Sequence, residues 1–469
     1  MRERSKSESL LVRMKDGVEL SGMQRFQMVF YLSIPAIMAQ ITSVVMQYID
    51  ASMVGSLGAS ASASIGLVSS STWLFSGVCG SAASGFSIQA AHCIGAGKIQ
   101  EARSIMRQAI LAGICVSLLL AVTGCLIGGW LPVWLGAATE IRQDASRYFL
   151  VFALSLPALQ LNRVAGGLLQ CSGNMKVPGM LNILMCILDV VFNCFFIFPT
   201  RMIHVAGLTF RCPGAGLGVM GAALGTALAE LVTAVLMMGF LCLRSSIFRL
   251  RRTDRWRFEK RYISRALRLA APIAWENIMM CGAMVATTRV VAPLGTVAIA
   301  ANSFAITAES LCYMPGYGIG DAAMTLVGQS MGAGRRELTR KFARMAVWLG
   351  MAVMAATGAV MYLSASAMMA ILTPDAGVRL LGAQVLRLEA FAEPMYAASI
   401  VASGALRGAG DTLIPSMMNF VSIWAVRLPL AILLSGCMGL MGVWIAMCAE
   451  LCFRGAIFLI RLYRERWMK

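Results

Sequence analysis

Long apolar stretches follow one another along the chain and are separated by short segments rich in glycine, proline or charge. A helix needs about 20 apolar residues to cross the hydrocarbon core of a bilayer. The pattern therefore predicts an all-α integral membrane protein with twelve transmembrane helices. The predicted spans lie near residues 26–53, 62–90, 105–131, 145–170, 178–199, 217–243, 263–291, 297–328, 343–372, 381–406, 413–435 and 439–462.

The second half of the chain repeats the first at a constant offset of 237 residues. This offset relates Pro35 to Pro272, and the Gly-Ala-Gly segment after Ile94 to the one after Met331. Each half has an even number of predicted spans, so the two copies share one orientation in the membrane. We therefore predict two pseudo-symmetric six-helix bundles. The predicted divisions are a cytoplasmic N-terminal segment (1–25), an N-lobe (26–243), a basic cytoplasmic linker (244–262), a C-lobe (263–462) and a cytoplasmic tail (463–469).

The composition excludes a water-soluble globule, because 58% of the residues are hydrophobic and only 13% are charged. Of the 40 lysines and arginines, thirty fall in segments predicted on one side of the membrane and five in segments predicted on the other. This asymmetry places both termini in the cytoplasm. We expect a multi-pass protein of the plasma membrane, specifically a bacterial inner membrane.

The net charge of +18 suggests nucleic acid at first sight, but its placement in short loops argues against such a partner. The most basic segment, Arg244–Arg268, either attracts anionic lipid headgroups or only fixes the topology. The loops are too short for a soluble catalytic domain, and they carry no nucleotide-binding or zinc pattern. We therefore expect no cofactor and no bound metal other than Na+.

Asp50 is the ionisable residue of the first apolar stretch, and its copy in the second half is Thr287. A charged group inside a span is costly, so it usually faces a cavity or partner and marks an ion or substrate path. The alternative is an aspartate at the membrane interface with no such role. In the fifth span Asp189 and Asn193 are four residues apart and share a helix face, and Thr226 adds a hydroxyl in the sixth. These oxygens suit Na+ or a protonatable cluster.

Several motifs together resemble the multidrug and toxic compound extrusion (MATE) transporters, and the likeness covers nearly the whole chain. It implies two six-helix lobes around a central cavity and export of cationic or amphipathic compounds in exchange for H+ or Na+. The motifs are DASMVG with LG at residues 50–58, MPGYG at 314–318, LVGQSMGAG at 326–334, LRGAGDT at 406–412 and RLPL at 427–430.

The resemblance also implies site residues. Relatives coupled to sodium or protons have an N-lobe site whose positions match Asp50, Asp189, Asn193 and Thr226, with the order of the Asp and Asn in helix 5 reversed here. Another branch of the family uses a glutamate of helix 7, whose place Met280 takes in this chain. The secondary candidates in the C-lobe are therefore other acids: Glu276, Glu309, Asp321, Glu389 and Glu393. The alternative for each of them is a structural role, in which it pairs with an arginine inside the membrane.

Two other functions compete with drug export. A lipid-linked saccharide flippase of the same superfamily would need a cationic cavity for pyrophosphate, whereas acids outnumber arginines near the presumed cavity here. A membrane-embedded enzyme would need a metal cluster or a nucleophile and base at helical spacing, and the sequence has neither. We expect a monomer that is not an enzyme and whose partners are small cationic or amphipathic molecules and membrane lipids.

Overall fold

The computed structural model describes residues 21–205, 208–250 and 256–468, with backbone alone over 201–213. Most of the predicted N-terminal segment, part of the basic linker and the last residue lie outside this description. Nine helical segments of the described part are long and apolar enough to cross a membrane. The prediction of a helical integral membrane protein is thus confirmed.

The N-terminal half is a series of long helices interrupted by one β-hairpin. Its first helix begins with a capping box, in which the Ser21 hydroxyl accepts from Gln24 N and the Gln24 side chain accepts from Ser21 N. The elements are α1 (Gly22–Gly55), α2 (Ala59–Gly95), α3 (Ile99–Ile127), α4 (Leu131–Trp134), α5 (Thr139–Cys171), α6 (Lys176–Phe196), β1 (Pro199–Val205), β2 (Leu208–Ala215) and α7 (Gly218–Gly239), which a π-helical turn (Phe240–Arg244) continues.

The C-terminal half contains the counterparts of these helices. Its last helix is interrupted at Gly439, where the backbone turns out of the helical region with φ 59° and ψ −137°. The elements are α8 (Lys260–Val291), a 3-10 turn (Ala292–Leu294), α9 (Thr296–Gly332), α10 (Arg336–Leu372), α11 (Ala376–Glu389), α12 (Glu393–Gly408), α13 (Leu413–Val421), a π-helical turn (Ser422–Arg427) and α14 (Leu428–Arg464).

Two local expectations were wrong. The chain was expected to be all-α, but the connection between α6 and α7 contains the antiparallel pair β1 and β2. The predicted single span 381–406 is broken after Glu389, and α12 restarts at Glu393 with Pro394 in its first turn. Proline lacks the N–H that a continuous helix would use, so the break falls where the first turn of a new helix tolerates it.

The repeat seen in the sequence is also present in the turns. Glycine is needed where φ is positive, because other residues are strained there. Such glycines follow or precede equivalent helices in both halves. Three pairs share the offset of 237 residues: Gly58 and Gly295 (φ 115° and 96°), Gly97 and Gly334 (73° and 70°), and Gly173 and Gly410 (91° and 94°).

The two halves meet at the end of the molecule that carries the Gly-Ala-Gly turns, called here the Gly-Ala-Gly end. A Cβ atom on Gly95 of α2 would lie 2.0 Å from the Gln329 carbonyl oxygen of α9, and one on Gly332 of α9 would lie 2.1 Å from the His92 carbonyl oxygen of α2. The two backbones therefore cross in direct contact. Each contact is the other's equivalent under the offset of 237 residues.

The hydrogen bonds around this crossing repeat the same symmetry. His92 Nε2 lies 2.7 Å from the Gly408 carbonyl oxygen, and Gln329 Nε2 donates to the Cys171 carbonyl oxygen at 2.6 Å. The offset relates His92 to Gln329 and Cys171 to Gly408. Because a carbonyl oxygen only accepts, His92 Nε2 carries the proton. The Gly-Ala-Gly end is thus held by two equivalent bonds that run between the halves.

Candidate functional site

Three of the predicted N-lobe residues form one hydrogen-bonded cluster. Asn193 Nδ2 donates to Asp50 Oδ1 at 2.9 Å and to Asp189 Oδ2 at 3.0 Å. The amide of α6 thus bridges a carboxyl group of α1 to one of its own helix. Thr226 of α7 lies next to Asp189. The structure therefore brings all four predicted positions together.

Close packing fixes the bridging amide. A Cβ atom on Gly225 of α7 would lie 2.1 Å from Asn193 Oδ1, so only glycine leaves room for the amide at this crossing. Asp189 and Asn193 are fully buried, whereas Asp50 is half-buried. Tyr148 of α5 lies near both carboxyl groups. Asp50 is therefore the member of the cluster through which a proton or cation can reach it.

The cluster has more acceptors than donors. Asp189 Oδ1 and Asn193 Oδ1 are buried and have no hydrogen-bond partner among the described residues. Two carboxylates bridged by a neutral amide are unfavourable in a poorly solvated site, so one of them takes up a proton or a cation binds between them. Oxygen atoms of carboxylates, an amide and a hydroxyl are suitable ligands for a hard cation. The arrangement can thus hold a proton or Na+.

Glu276, the first secondary candidate, is engaged by the chain itself. Its carboxylate accepts from Arg407 at 2.7 Å, from Ser416 Oγ at 2.6 Å and from Asn419 Nδ2 at 2.7 Å. These contacts connect α8, α12 and α13. A buried carboxylate that is paired and fully hydrogen-bonded acts as a structural tie, which is the structural alternative that the sequence left open for this residue.

Asp321 lies apart from the other acids and contacts the opposite half. Gln40 Nε2 of α1 is 3.5 Å from Asp321 Oδ2 of α9. This distance is long for a hydrogen bond, so the contact is weak. Asp321 is thus a polar contact at the α1–α9 interface and is not part of a carboxyl cluster.

Glu309 and Glu393 belong to a second buried group of acids, which also contains Glu389. Cys448 Sγ donates to Glu389 Oε2 at 2.9 Å, whereas in the described part of the chain Glu389 Oε1 and both carboxyl oxygens of Glu393 have no hydrogen-bond partner. Glu389 and Glu393 are fully buried. Three neighbouring carboxyl groups with so few donors are a second place where protons can be held.

Glu450 lies beside this group and was missed in the sequence. It is fully buried and accepts from Arg427 and Arg454, each at 2.8 Å, and from Ser422 Oγ at 2.5 Å. One glutamate therefore sits between two arginines. The spacing of four residues between Glu450 and Arg454 on one helix could have indicated this pair.

Comparison with known proteins identifies the family. The family model MatE matches residues 35–195 and, a second time, residues 272–433. The two matches cover more than half of the chain and coincide with its repeated halves. The chain belongs to the MATE family.

MATE relatives match it over nearly their whole length. A probable multidrug resistance protein NorM of Thermotoga maritima is 26% identical over 93% of this chain and 92% of the relative. The multidrug resistance protein MdtK of Edwardsiella ictaluri is 25% identical over 93% of this chain and 94% of the relative. The family and these relatives are transporters, so the chain is classed with transporters.

Solved structures of the MATE fold superpose closely on this chain. An outward-facing multidrug resistance MATE transporter of the MOP superfamily covers 94% of this chain and 96% of its own, with a TM-score of 0.86 at 19% identity. A MOP superfamily transporter from Pyrococcus furiosus, whose binding pocket is described as having reverse polarity, covers 99% and 98% with a TM-score of 0.87 at 18% identity. These likenesses establish the fold.

Proposed function

We propose that this protein exports cationic or amphipathic small molecules, including drugs and other xenobiotics, in exchange for H+ or Na+. The proposal includes twelve transmembrane helices in two six-helix lobes that rock about a central site. It is supported by family membership, by relatives named as multidrug resistance proteins and by the constant offset between the halves. The observation that carries it is the Asp50–Asn193–Asp189 cluster.

The cluster supplies the coupling in this proposal. Only a ligand with different affinity for the two states of a transporter can shift their equilibrium. A proton or Na+ on Asp50 and Asp189 neutralises charge that is otherwise buried without compensation, so its presence changes how closely α1, α6 and α7 can pack. The bound ion therefore favours one arrangement of the N-lobe, and its release favours the other.

The Gly-Ala-Gly end supplies the gate. We place it on the cytoplasmic side, where the basic segments lie. In the present structure the Gly95 and Gly332 crossing and the two bonds from His92 and Gln329 hold this end closed. Breaking these contacts while the far end closes would expose the central site to the cytoplasm, as alternating access requires.

The test is efflux of ethidium from proteoliposomes under an imposed pH gradient or sodium gradient. Asp50→Asn and Asp189→Asn keep the size of the side chain and remove its charge. We expect both to abolish gradient-driven efflux while the protein remains folded. Asp144→Asn is the matched control, since Asp144 of α5 is outside the cluster, and it should transport like the parent.

The outcomes separate the alternatives. Full efflux by both cluster variants would remove the N-lobe assignment and leave Glu309, Glu389 and Glu393 as the coupling group. If neither gradient drives ethidium export by the parent protein, the proposal of drug export is refuted. A flippase of lipid-linked saccharides would then be tested by the translocation of a labelled lipid pyrophosphate.

A further inference from the structure

A basic cavity lies between the beginning of α3 and the segment that follows α7. Its volume is about 560 Å3, and its lining includes three arginines, Arg103, Arg244 and Arg249. Two serines and two leucines complete the lining: Ser245, Ser246, Leu243 and Leu250. The cavity is at the Gly-Ala-Gly end and is separate from both carboxyl clusters.

The wall of this cavity is ordered by buried contacts. Arg103 Nε donates to the Ile247 carbonyl oxygen at 2.8 Å, which orients the guanidinium group and leaves its two Nη nitrogens available. Ser245 Oγ accepts from Phe248 N at 3.2 Å, and the Phe248 side chain is fully buried. The backbone of the segment after α7 is therefore anchored against α3, and it brings Arg244 and Arg249 to the same cavity as Arg103.

The pseudo-symmetric position in the other half shows what such arginines bind. The offset of 237 residues relates Arg103 to Arg340. Arg340 and Arg344 pair with Glu465, at 3.3 Å and 2.8 Å, and Glu465 directly follows the last helix of the C-terminal half. The residue that directly follows the corresponding helix and its π-helical turn in the N-terminal half is Ser245, which carries no charge. In one half the chain thus provides an internal anion, and in the other it does not.

The arginines of the cavity are not neutralised within the described part of the chain. None of the described carboxylates forms an ion pair with Arg103, Arg244 or Arg249. Arg244 and Arg249 are exposed. Three converging, unpaired guanidinium groups with neighbouring hydroxyls are the donors that a phosphate group prefers.

The apolar part of the lining indicates the source of the phosphate. Leu243 is 70% exposed and ends the apolar surface of α7 next to the arginines. A phosphate group beside such a surface is the chemistry of a phospholipid at the membrane interface. We propose that the cavity binds the headgroup phosphate of an anionic phospholipid of the leaflet on the Gly-Ala-Gly side, and that the acyl chains lie along Leu243.

The experiment is native mass spectrometry of the full-length protein in detergent. The probes are phosphatidylglycerol, phosphatidylcholine and inorganic phosphate. The test variant is Arg244→Gln with Arg249→Gln, because both side chains are exposed and neither forms a hydrogen bond with another described residue. The matched control is Arg464→Gln with Arg466→Gln, which removes two exposed charges at the same end of the C-terminal half.

Phosphatidylglycerol should bind the parent and the control equally, and the test variant roughly 30-fold more weakly, since each arginine near an anionic surface contributes about a fivefold factor. Phosphatidylcholine should bind the parent more weakly than phosphatidylglycerol. Equal losses in the test and control variants would overturn the site, because the effect would then be one of net charge. Displacement of phosphatidylglycerol by millimolar inorganic phosphate would refute the assignment of a phospholipid and identify free phosphate as the ligand.

Discussion

The crossing of α2 and α9 makes Gly95→Ala a sharp perturbation of the gate. The added Cβ atom would lie 2.0 Å from the Gln329 carbonyl oxygen and 2.7 Å from its carbonyl carbon. Both atoms belong to the backbone, so the helices must separate. Overpacking of this kind typically costs about 1–3 kcal/mol. The gain in helix propensity from glycine to alanine, about 1 kcal/mol, is common to the open and closed states and cancels between them.

The expected result is an open-to-closed ratio raised by roughly 5-fold to 150-fold. Hydrogen–deuterium exchange at the ends of α2 and α9, around residues 92–98 and 329–335, measures it. Exchange there should be faster in Gly95→Ala than in the parent. Gly80→Ala is the control in the same helix, because its Cβ atom would have no heavy atom within 4 Å. Identical exchange in the two variants would refute the crossing as the gate.

Two further predictions concern buried polar contacts. Glu450→Gln should lower thermal stability in detergent markedly, because it removes the ion-pair partner of the buried Arg454 and of the partly buried Arg427, a loss of about 3–5 kcal/mol. Glu465→Gln breaks a half-exposed pair and should cost only about 0–1 kcal/mol, so equal melting shifts in the two variants would contradict this reasoning. His92→Ala and Gln329→Ala each remove one of two equivalent bonds, each contributing about 0.5–1.5 kcal/mol. They should accelerate exchange at the Gly-Ala-Gly end to a similar extent, and a change in only one of them would argue against the symmetric gate.

The sequence predicted a helical membrane protein correctly, because long apolar helices depend on local composition. A run of about 20 apolar residues followed by a glycine turn can be recognised from a short segment of sequence. Because the second half repeats the first, most of these segments occur twice. The break between Glu389 and Glu393 was missed, although Pro394 marked it, because the apolar pattern continues across it. The β-hairpin was missed because its strands, of seven and eight residues, are too short to stand out beside spans of about 20 apolar residues.

The site could be predicted only in part, since it depends on contacts between distant segments. Asp50 and Asn193 are 143 residues apart in the sequence, and their proximity was expected only from the resemblance to relatives. The sequence could not show which of the acids have hydrogen-bond or ion-pair partners. Glu276 is saturated by residues at least 131 positions away, whereas both oxygens of Glu393 have none. Pairing of this kind is a property of helix packing and not of any one span.

The reciprocal contact at Gly95 and Gly332 also bears on how such a chain could arise. In a self-complementary interface, the same patch is used twice around a two-fold axis. Two separate copies of one half would therefore form both crossings and both bonds at once, as a homodimer. Fusion of two such copies into one chain would have kept this interface and allowed the sequences of the two halves to diverge. The two halves now differ at equivalent positions, such as Asp50 and Thr287, and His92 and Gln329. The contact between the halves has kept its two-fold symmetry, whereas each half has its own cluster of carboxyl groups.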